Sequence, residues 1–412
     1  MRNSLLKLLQ ILILVPFLAG CLKDKMTRTY TILTPVYQSR QEVLANIKAD
    51  EPKLLQSPGK IYIYGKYLFV NEVNKGVHIF DNSNTLAPKA VAFINIPGNI
   101  DIAVKGTTLY ADMYTDLLSI DITDPLAAKL KDTVGLVFPE RQYTGRFQPD
   151  REKVIVDWIK KDTTVSNAES ELRESCITCV FLADAGTKNG SQVPGIGGSM
   201  ARFAIVNNYL YTVNTSSLGV FDIAVPAEPK SMGNHYIGWN IETIYPFKNK
   251  LFIGSSNGMF IYDISSPAAP SPEGSFSHAR ACDPVVADDS YAFVTLRTGT
   301  FCTGTSNQLD VVNVTNVNNP LLVKTYPLTN PHGLAKDENL LFICDGSAGL
   351  KVYDASNVNG LKLIKHIMGL ETYDAIAWNN LLLVVASNGI YQFDYSDPAN
   401  MKLLSTLAVS RK

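Results

Sequence analysis

The stretch Lys250-Leu251-Phe252-Ile253-Gly254-Ser255-Ser256-Asn257-Gly258-Met259-Phe260-Ile261-Tyr262-Asp263-Ile264-Ser265-Ser266-Pro267 decides the fold. It reads as an apolar strand, a small polar turn, a second strand ending on Asp263 and a bend that carries Pro267. Upstream, Ile241 to Phe247 supplies a strand before the turn Lys248-Asn249-Lys250, and a fourth strand follows Pro267. β-Branched and aromatic runs bounded by Gly, Asn, Ser and Pro are strand signals, and none of these runs has helical spacing.

The closing strand returns seven times. It ends on Asp81, Asp121, Asp222, Asp263, Asn313, Asp354 and Asp394, most of them about 40 residues apart, the period of a four-stranded propeller blade. One such sheet cannot bury both faces alone. The expected fold is therefore all-β, a single β-propeller of seven four-stranded blades over residues 59–412, with an insertion between blades two and three at about 132–199. An acid repeated in one register suggests a structural rather than a catalytic role. Asp followed by Ser or Thr and then Pro accepts backbone N–H groups and starts an Asx-type turn, and Asn313 keeps the acceptor without the charge.

With a following Ser/Thr-x-Pro bend, as in Asp121-Ile122-Thr123-Asp124-Pro125 and Asp394-Tyr395-Ser396-Asp397-Pro398, these strands resemble those of LVIVD-repeat proteins. The resemblance covers about residues 59–407 apart from the insertion, and is loosest at Leu309 to Asn313. It implies a bacterial, extracytoplasmic β-propeller, often a lipoprotein, and implies no particular activity.

The N-terminus is the second strong signal. Arg2 and Lys7 precede the apolar run Leu8 to Leu18, which ends in Leu18-Ala19-Gly20-Cys21. A basic start, a short apolar core and small residues before the cut describe a secretory signal peptide over residues 1–20. The run is shorter than the ~20 residues a spanning helix needs. Its ending resembles a bacterial lipobox, which makes Cys21 the lipidated first residue of the mature chain. Residues 21–58 then read as a lipid-anchored tether and N-terminal strands, the latter expected beside the last blade, where they help to close the ring. The expected address is the bacterial cell envelope, as an outer-membrane lipoprotein facing the periplasm or the surface.

After Cys21, five cysteines remain. Cys282 and Cys302 fall at the same end of blade five and are expected to form a disulfide. Cys176 and Cys179, spaced Cys-Ile-Thr-Cys, permit a short-loop disulfide or half of a metal site, whereas Cys344 follows an apolar strand as a buried thiol.

In antiparallel blades, loops from strand four to the next strand one share an end with loops between strands two and three. The insertion is of the first kind, and a smaller one, Arg297 to Gln308 in blade five, is of the second. We call this end the insertion face; rigid strands that present variable loops at one end are the usual carrier of a site. First strands begin there with Asp101, Arg202, Glu242, Asp283, His332 and Asp374, and second strands end beside Asp112, Asn214, Arg297 and Asp345. Asp101, Asp112, Glu242, Asp283, Arg297, His332, Asp345 and Asp374 are the candidate binding residues around the channel mouth. Their carboxylates with His332 could hold a divalent cation. Trp239, on the same face, either packs or stacks on a sugar.

A net charge of −1 with interspersed signs leaves no basic stripe for nucleic acid. No Gly-x-Ser-x-Gly elbow, His-Glu-x-x-His pair or phosphate-cradling glycine loop is present. The expected function is that of a cofactor-free, monomeric binding scaffold for a protein or glycan; the alternative is a metal-dependent hydrolase or lactonase at the channel mouth.

Overall fold

The computed structural model describes residues 27–141, 143, 147, 150–166, 181–183, 200–278, 284–298 and 306–410. Seven antiparallel sheets follow one another along the chain, each of four consecutive strands paired in chain order. Blade one is Pro58–Tyr64, Tyr67–Glu72, Gly76–Asp81 and Lys89–Asn95. Blade seven is Thr372–Trp378, Leu381–Ala386, Gly389–Asp394 and Lys402–Ala408. Middle strands such as Leu381–Ala386 are buried along almost their whole length, as a sheet covered on both faces requires. Fourth strands such as Lys230–Tyr236 are mostly exposed and polar, which suits an outer edge.

All seven closing residues bind the backbone N–H two positions on: Ser83 to Asp81, Thr123 to Asp121, Ala224 to Asp222, Ser265 to Asp263, Thr315 to Asn313, Ser356 to Asp354 and Ser396 to Asp394. The N–H of Thr123 heads the donors that draw the Asp121 carboxyl down to about 2. Each bend is followed by a one-residue register shift between strands three and four, as at Ile261/Tyr262 and Gln392/Phe393. The shift twists the outer strand away from the ladder. At the same end, the first hairpin of blade four turns through Lys248 (φ 53°) rather than its neighbouring Asn249, a strained choice for a side chain that gains nothing from the left-handed region.

The core is distributed between blades. Seven apolar clusters occupy seven interfaces, one of them joining Phe69 and Val77 of blade one to Ile102 and Leu109 of blade two. The interface that closes the ring sets Ile61, Leu68, Val70 and Phe80 of blade one against Ile376, Leu383, Val385 and Ile390 of blade seven. Hydrogen bonds cross the same seam. Asn82 and Gln392 exchange amide bonds of 3.0 and 2.8 Å, Ser405 Oγ donates to Thr85 O at 2.6 Å, and Ser410 N donates to Leu55 O at 2.7 Å.

Closure therefore differs from the expectation that N-terminal strands flank the last blade. The short strand Ala49–Asp50 instead pairs with Lys89–Asn95 and gives blade one a fifth, outer strand. The strand Thr27–Ser39 lies in the middle of a separate three-stranded sheet, between Lys153–Ser166 and Phe181–Ala183 of the insertion. Thr31 Oγ1 donates to Asp162 Oδ1 at 2.7 Å in that sheet, so Asp162 is part of a strand rather than a loop tip. The described residues divide into two compact units, 27–36 with 157–166 and 181–183 in one, and those of 37–156 and 200–410 in the other. The fourth strand of blade two extends to Val134, and the insertion departs from there. Cys21, Cys176, Cys179, Cys282, Cys302 and Asp283 lie outside the described residues. Cys344 is buried with a free thiol, and burial pushes its pKa well up.

The seam between blades one and seven should be measurable. Asn82→Ala and Gln392→Ala should each destabilise the protein, and a double-mutant cycle by urea unfolding should return a coupling of about 1 kcal/mol across the seam. Strict additivity would mean that the two ends of the chain do not meet through this pair.

Candidate binding face at the insertion end

Because first strands run innermost, the residues that start them meet at the axis. Lys60 of blade one belongs to this set and was not among the sequence candidates. It is fully buried, and its Nζ donates to Asp101 Oδ2 and to Met200 O, both at 2.8 Å. Burial draws its pKa down to about 8 against the pull of Asp101. Asp101 also accepts the backbone N–H of Arg202 at 2.7 Å, and burial pushes its carboxyl up. The signal that would have found Lys60 is its register: it precedes Ile61 as Asp101 precedes Ile102 and Arg202 precedes Phe203.

Charges alternate around this belt. Lys60 is in the field of Asp101 and Asp374, Arg202 in that of Asp101 and Glu242, and Arg297 in that of Glu242. Burial pushes Glu242 up to about 7 although Arg202 and Arg297 both favour its ionised form. Arg297 Nη1 stands 3.5 Å from His332 Nε2. Burial and then the Arg297 charge draw His332 down to about 3, so the imidazole is neutral at any physiological pH. Its backbone is fixed at both ends, N–H to Cys344 O at 2.7 Å and carbonyl from Thr295 Oγ1 at 2.6 Å. Asp374 accepts the N–H of Ala375 at 3.0 Å and packs on Gly333, where an added Cβ would lie 2.1 Å from Asp374 Oδ1.

Two other sequence candidates are loop fasteners. Asp112 accepts from Ile100 N at 2.7 Å, Asp101 N at 2.8 Å and the Asn99 amide at 2.9 Å, and it pairs with Arg141. Asp345 accepts from Thr329 N, Asn330 N and, at 2.6 Å, Lys351 Nζ. Their lone pairs are therefore largely taken by the chain itself. Among the described residues, no three of His, Cys, Asp and Glu gather as metal ligands.

One feature of this face escaped the sequence candidates, and a second stood open between core packing and sugar stacking. A pocket of about 370 Å³ opens beside blade two, lined by Arg40, Thr115, Asp116, Gly135, Leu136, Asp150 and Arg151. Asp116 is held there by Arg40 and by the N–H of Leu136, and Leu136 adopts φ 59°, an unusual backbone for leucine. The second is Trp239. It is 72 % exposed, so it does not serve the core packing, and Tyr236 beside it is 62 % exposed.

LVIVD repeats match at residues 58–92 and 249–277, within blades one and four. The chain thus carries LVIVD repeats on a seven-bladed propeller. Its sequence has no match among curated proteins. Solved structures similar to it include a protein from Lactobacillus plantarum (11 % identity, 92 % of this chain and 96 % of that one, TM-score 0.54). A functionally unknown protein from Desulfotomaculum acetoxidans is 12 % identical over 86 % of this chain and 96 % of that one, with TM-score 0.52. BamB from Moraxella catarrhalis is 8 % identical over 87 % and 98 %, with TM-score 0.52. At such identities the likeness is one of fold.

The belt makes stability depend on pH. Glu242 titrates near 7 when folded, against an ordinary value of 4.5, so the folded state binds the extra proton between those values. Stability should then fall as pH rises from about 4.5 to about 7 through this residue. Glu242→Gln should flatten that part of the curve in urea unfolding at pH 5 and pH 8; an unchanged slope would remove Glu242 as its source.

Proposed function

We propose that this protein is a bacterial outer-membrane lipoprotein, anchored through Cys21, whose propeller serves as a cofactor-free binding scaffold for a protein or glycan. The insertion face is the binding end. One observation carries this reading: at the axis, where a catalytic centre would sit, the charged groups are engaged with one another and with the backbone. Lys60 is bound to Asp101, and Asp112 and Asp345 fasten loops. The features open to a ligand are the pocket beside Leu136 and the exposed aromatics of the connection between blades three and four, both at the same end. The opposite end is committed to Asx bends and tight hairpins. A net charge of −1 supports a partner other than nucleic acid.

The anchor and the face are tested separately. Labelled palmitate should enter the wild-type protein and not Cys21→Ala, which should leave the outer-membrane fraction. In pull-downs from envelope extracts, Leu136→Asp combined with Arg151→Glu should weaken partner capture by about tenfold. Leu86→Asp, an exposed change at the opposite end, should leave it intact. The reverse result would assign binding to the wrong end of the ring.

A further inference from the structure

The connection between blades three and four carries an aromatic pair with no role in the core. Tyr236 ends the fourth strand of blade three and Trp239 follows in the loop, their ring centroids 6.1 Å apart and nearly perpendicular at 80°. Trp239 is 72 % and Tyr236 62 % exposed. Among the described residues, no hydrogen bond involves the indole N–H or the phenolic hydroxyl. Exposed aromatic rings keep apolar surface in water without adding to the core, and such residues concentrate where a partner covers them.

The pair is held firmly by its backbone. Ser216 O accepts from Ile237 N at 2.9 Å and from Gly238 N at 3.3 Å. Ile241 N donates to Thr215 O at 3.1 Å, and Ser256 N donates to Asn240 O at 3.0 Å. A Cβ on Gly238 would stand 3.2 Å from the Phe260 ring, so this loop lies flat on blade four. Two neighbouring hairpins, at 214–217 and 255–257, are thereby tied to the aromatic loop.

These three segments share an unusual chemistry. Asn214-Thr215-Ser216-Ser217-Leu218-Gly219, Ser231 to Ile241, and Gly254-Ser255-Ser256-Asn257-Gly258-Met259 contain no Lys, Arg, Asp or Glu. Ser255 and Ser256 are buried, and the exposed polar residues Thr215, Asn240 and Asn257 border a rigid aromatic platform with neutral amides and a hydroxyl. Charge complementarity then calls for an uncharged ligand, with an apolar face for the rings and many hydroxyls for the border. A pyranose has both: its C–H face packs on an aromatic ring, and its hydroxyls exchange bonds with amides and with Ser or Thr. A protein segment would instead be expected to meet some charge at the rim.

We propose that Tyr236 and Trp239 form a binding site for a neutral glycan. This rests on the insertion face being the binding end and names the class of its ligand. The Trp239 ring supplies the stacking surface, Tyr236 buttresses it edge-on, and the surrounding amide and hydroxyl groups read the sugar hydroxyls.

The test uses the full-length protein in detergent, titrated by calorimetry and tryptophan fluorescence with neutral gluco-, manno-, galacto- and xylo-oligosaccharides, and with an oligogalacturonate as the anionic control. At least one neutral series should bind saturably and perturb the emission, while the anionic series should not. Trp239→Ala should weaken binding about tenfold or more, and Trp239→Phe should retain most of it. Thermal unfolding of both variants should match wild type, because the side chain is 72 % exposed. Binding by none of the neutral series, or equal binding by Trp239→Ala, overturns the proposal. If no sugar binds but Trp239→Ala abolishes capture of an envelope protein, the patch is a protein contact; the glycan is then wrong while the insertion face stands. If no sugar binds and capture depends on Leu86 at the opposite end, both readings fall.

Discussion

Everything in the propeller depends on the seam between blade one and blade seven. A four-stranded sheet with apolar residues on both faces is insoluble alone and must be covered on each side. Six of the interfaces join blades that are consecutive in the chain, five of them across short connections and one, between blades two and three, across the insertion. The seventh brings residues near 61–80 to residues near 376–407 and carries the full entropic cost of closing the ring. Here no strand is exchanged, since each blade is built from consecutive chain. The seam is held by an apolar cluster in its interior, by the reciprocal Asn82–Gln392 amide pair beside it, and by single bonds from Ser405 Oγ to Thr85 O and from Ser410 N to Leu55 O. Gln392 is fully buried, so its partner across the seam matters more than a surface hydrogen bond would.

Closure also creates the electrostatics of the axis. Seven first strands begin around one line, and whatever side chains they carry there are forced together and out of bulk water. Like charges would push the ring open. The sequence places Lys60, Asp101, Arg202, Glu242 and Arg297 in alternating sign, and Asp374 completes the circuit back to Lys60. Desolvation still outweighs attraction at several positions: Lys60 is drawn down and Glu242 up, each toward its neutral form. The belt is thus better understood as a condition for closure than as a set of free ligands. A carboxylate already holding a buried lysine has little left for a metal ion or a substrate.

How much of this was legible in the sequence follows from how local each feature is. The strands and bends are local: alternation over five or six residues and an Asp that binds the N–H two positions on are both written in contiguous sequence. Hence the seven blades and the structural role of Asp81 through Asp394 could be read directly. Lys60 was missed because Pro58-Gly59 before it masks the strand start, although it holds the same register before Ile61 as Asp101 before Ile102. The pairing of Thr27–Ser39 with the insertion, instead of with the last blade, depends on contacts more than 120 residues apart, such as Tyr30 with Ala183. Asp112 and Asp345 were placed at the correct end, but sequence could not show that backbone donors already occupy them.

The two ends of the ring have divided their duties for a physical reason. A bend between strands three and four serves neighbours as well as its own blade: Tyr110, Tyr211 and Tyr326 each donate to a carbonyl in or near the bend of the next blade, at Pro226, Pro267 and Val358. Lengthening such a bend would remove an acceptor from the blade before it, so that end cannot vary freely. The connections from strand four to the next strand one are tied mainly near the start of the first strand, as Asn240 O is by Ser256 N. Length and chemistry can change there at little cost to closure, which is why the insertion leaves the ring at Val134 and the exposed aromatics stand on the loop after Tyr236. The bends and the seam are bound to the closure of the ring, and the insertion face is the end whose loops can vary, which is the physical basis for proposing it as the binding end.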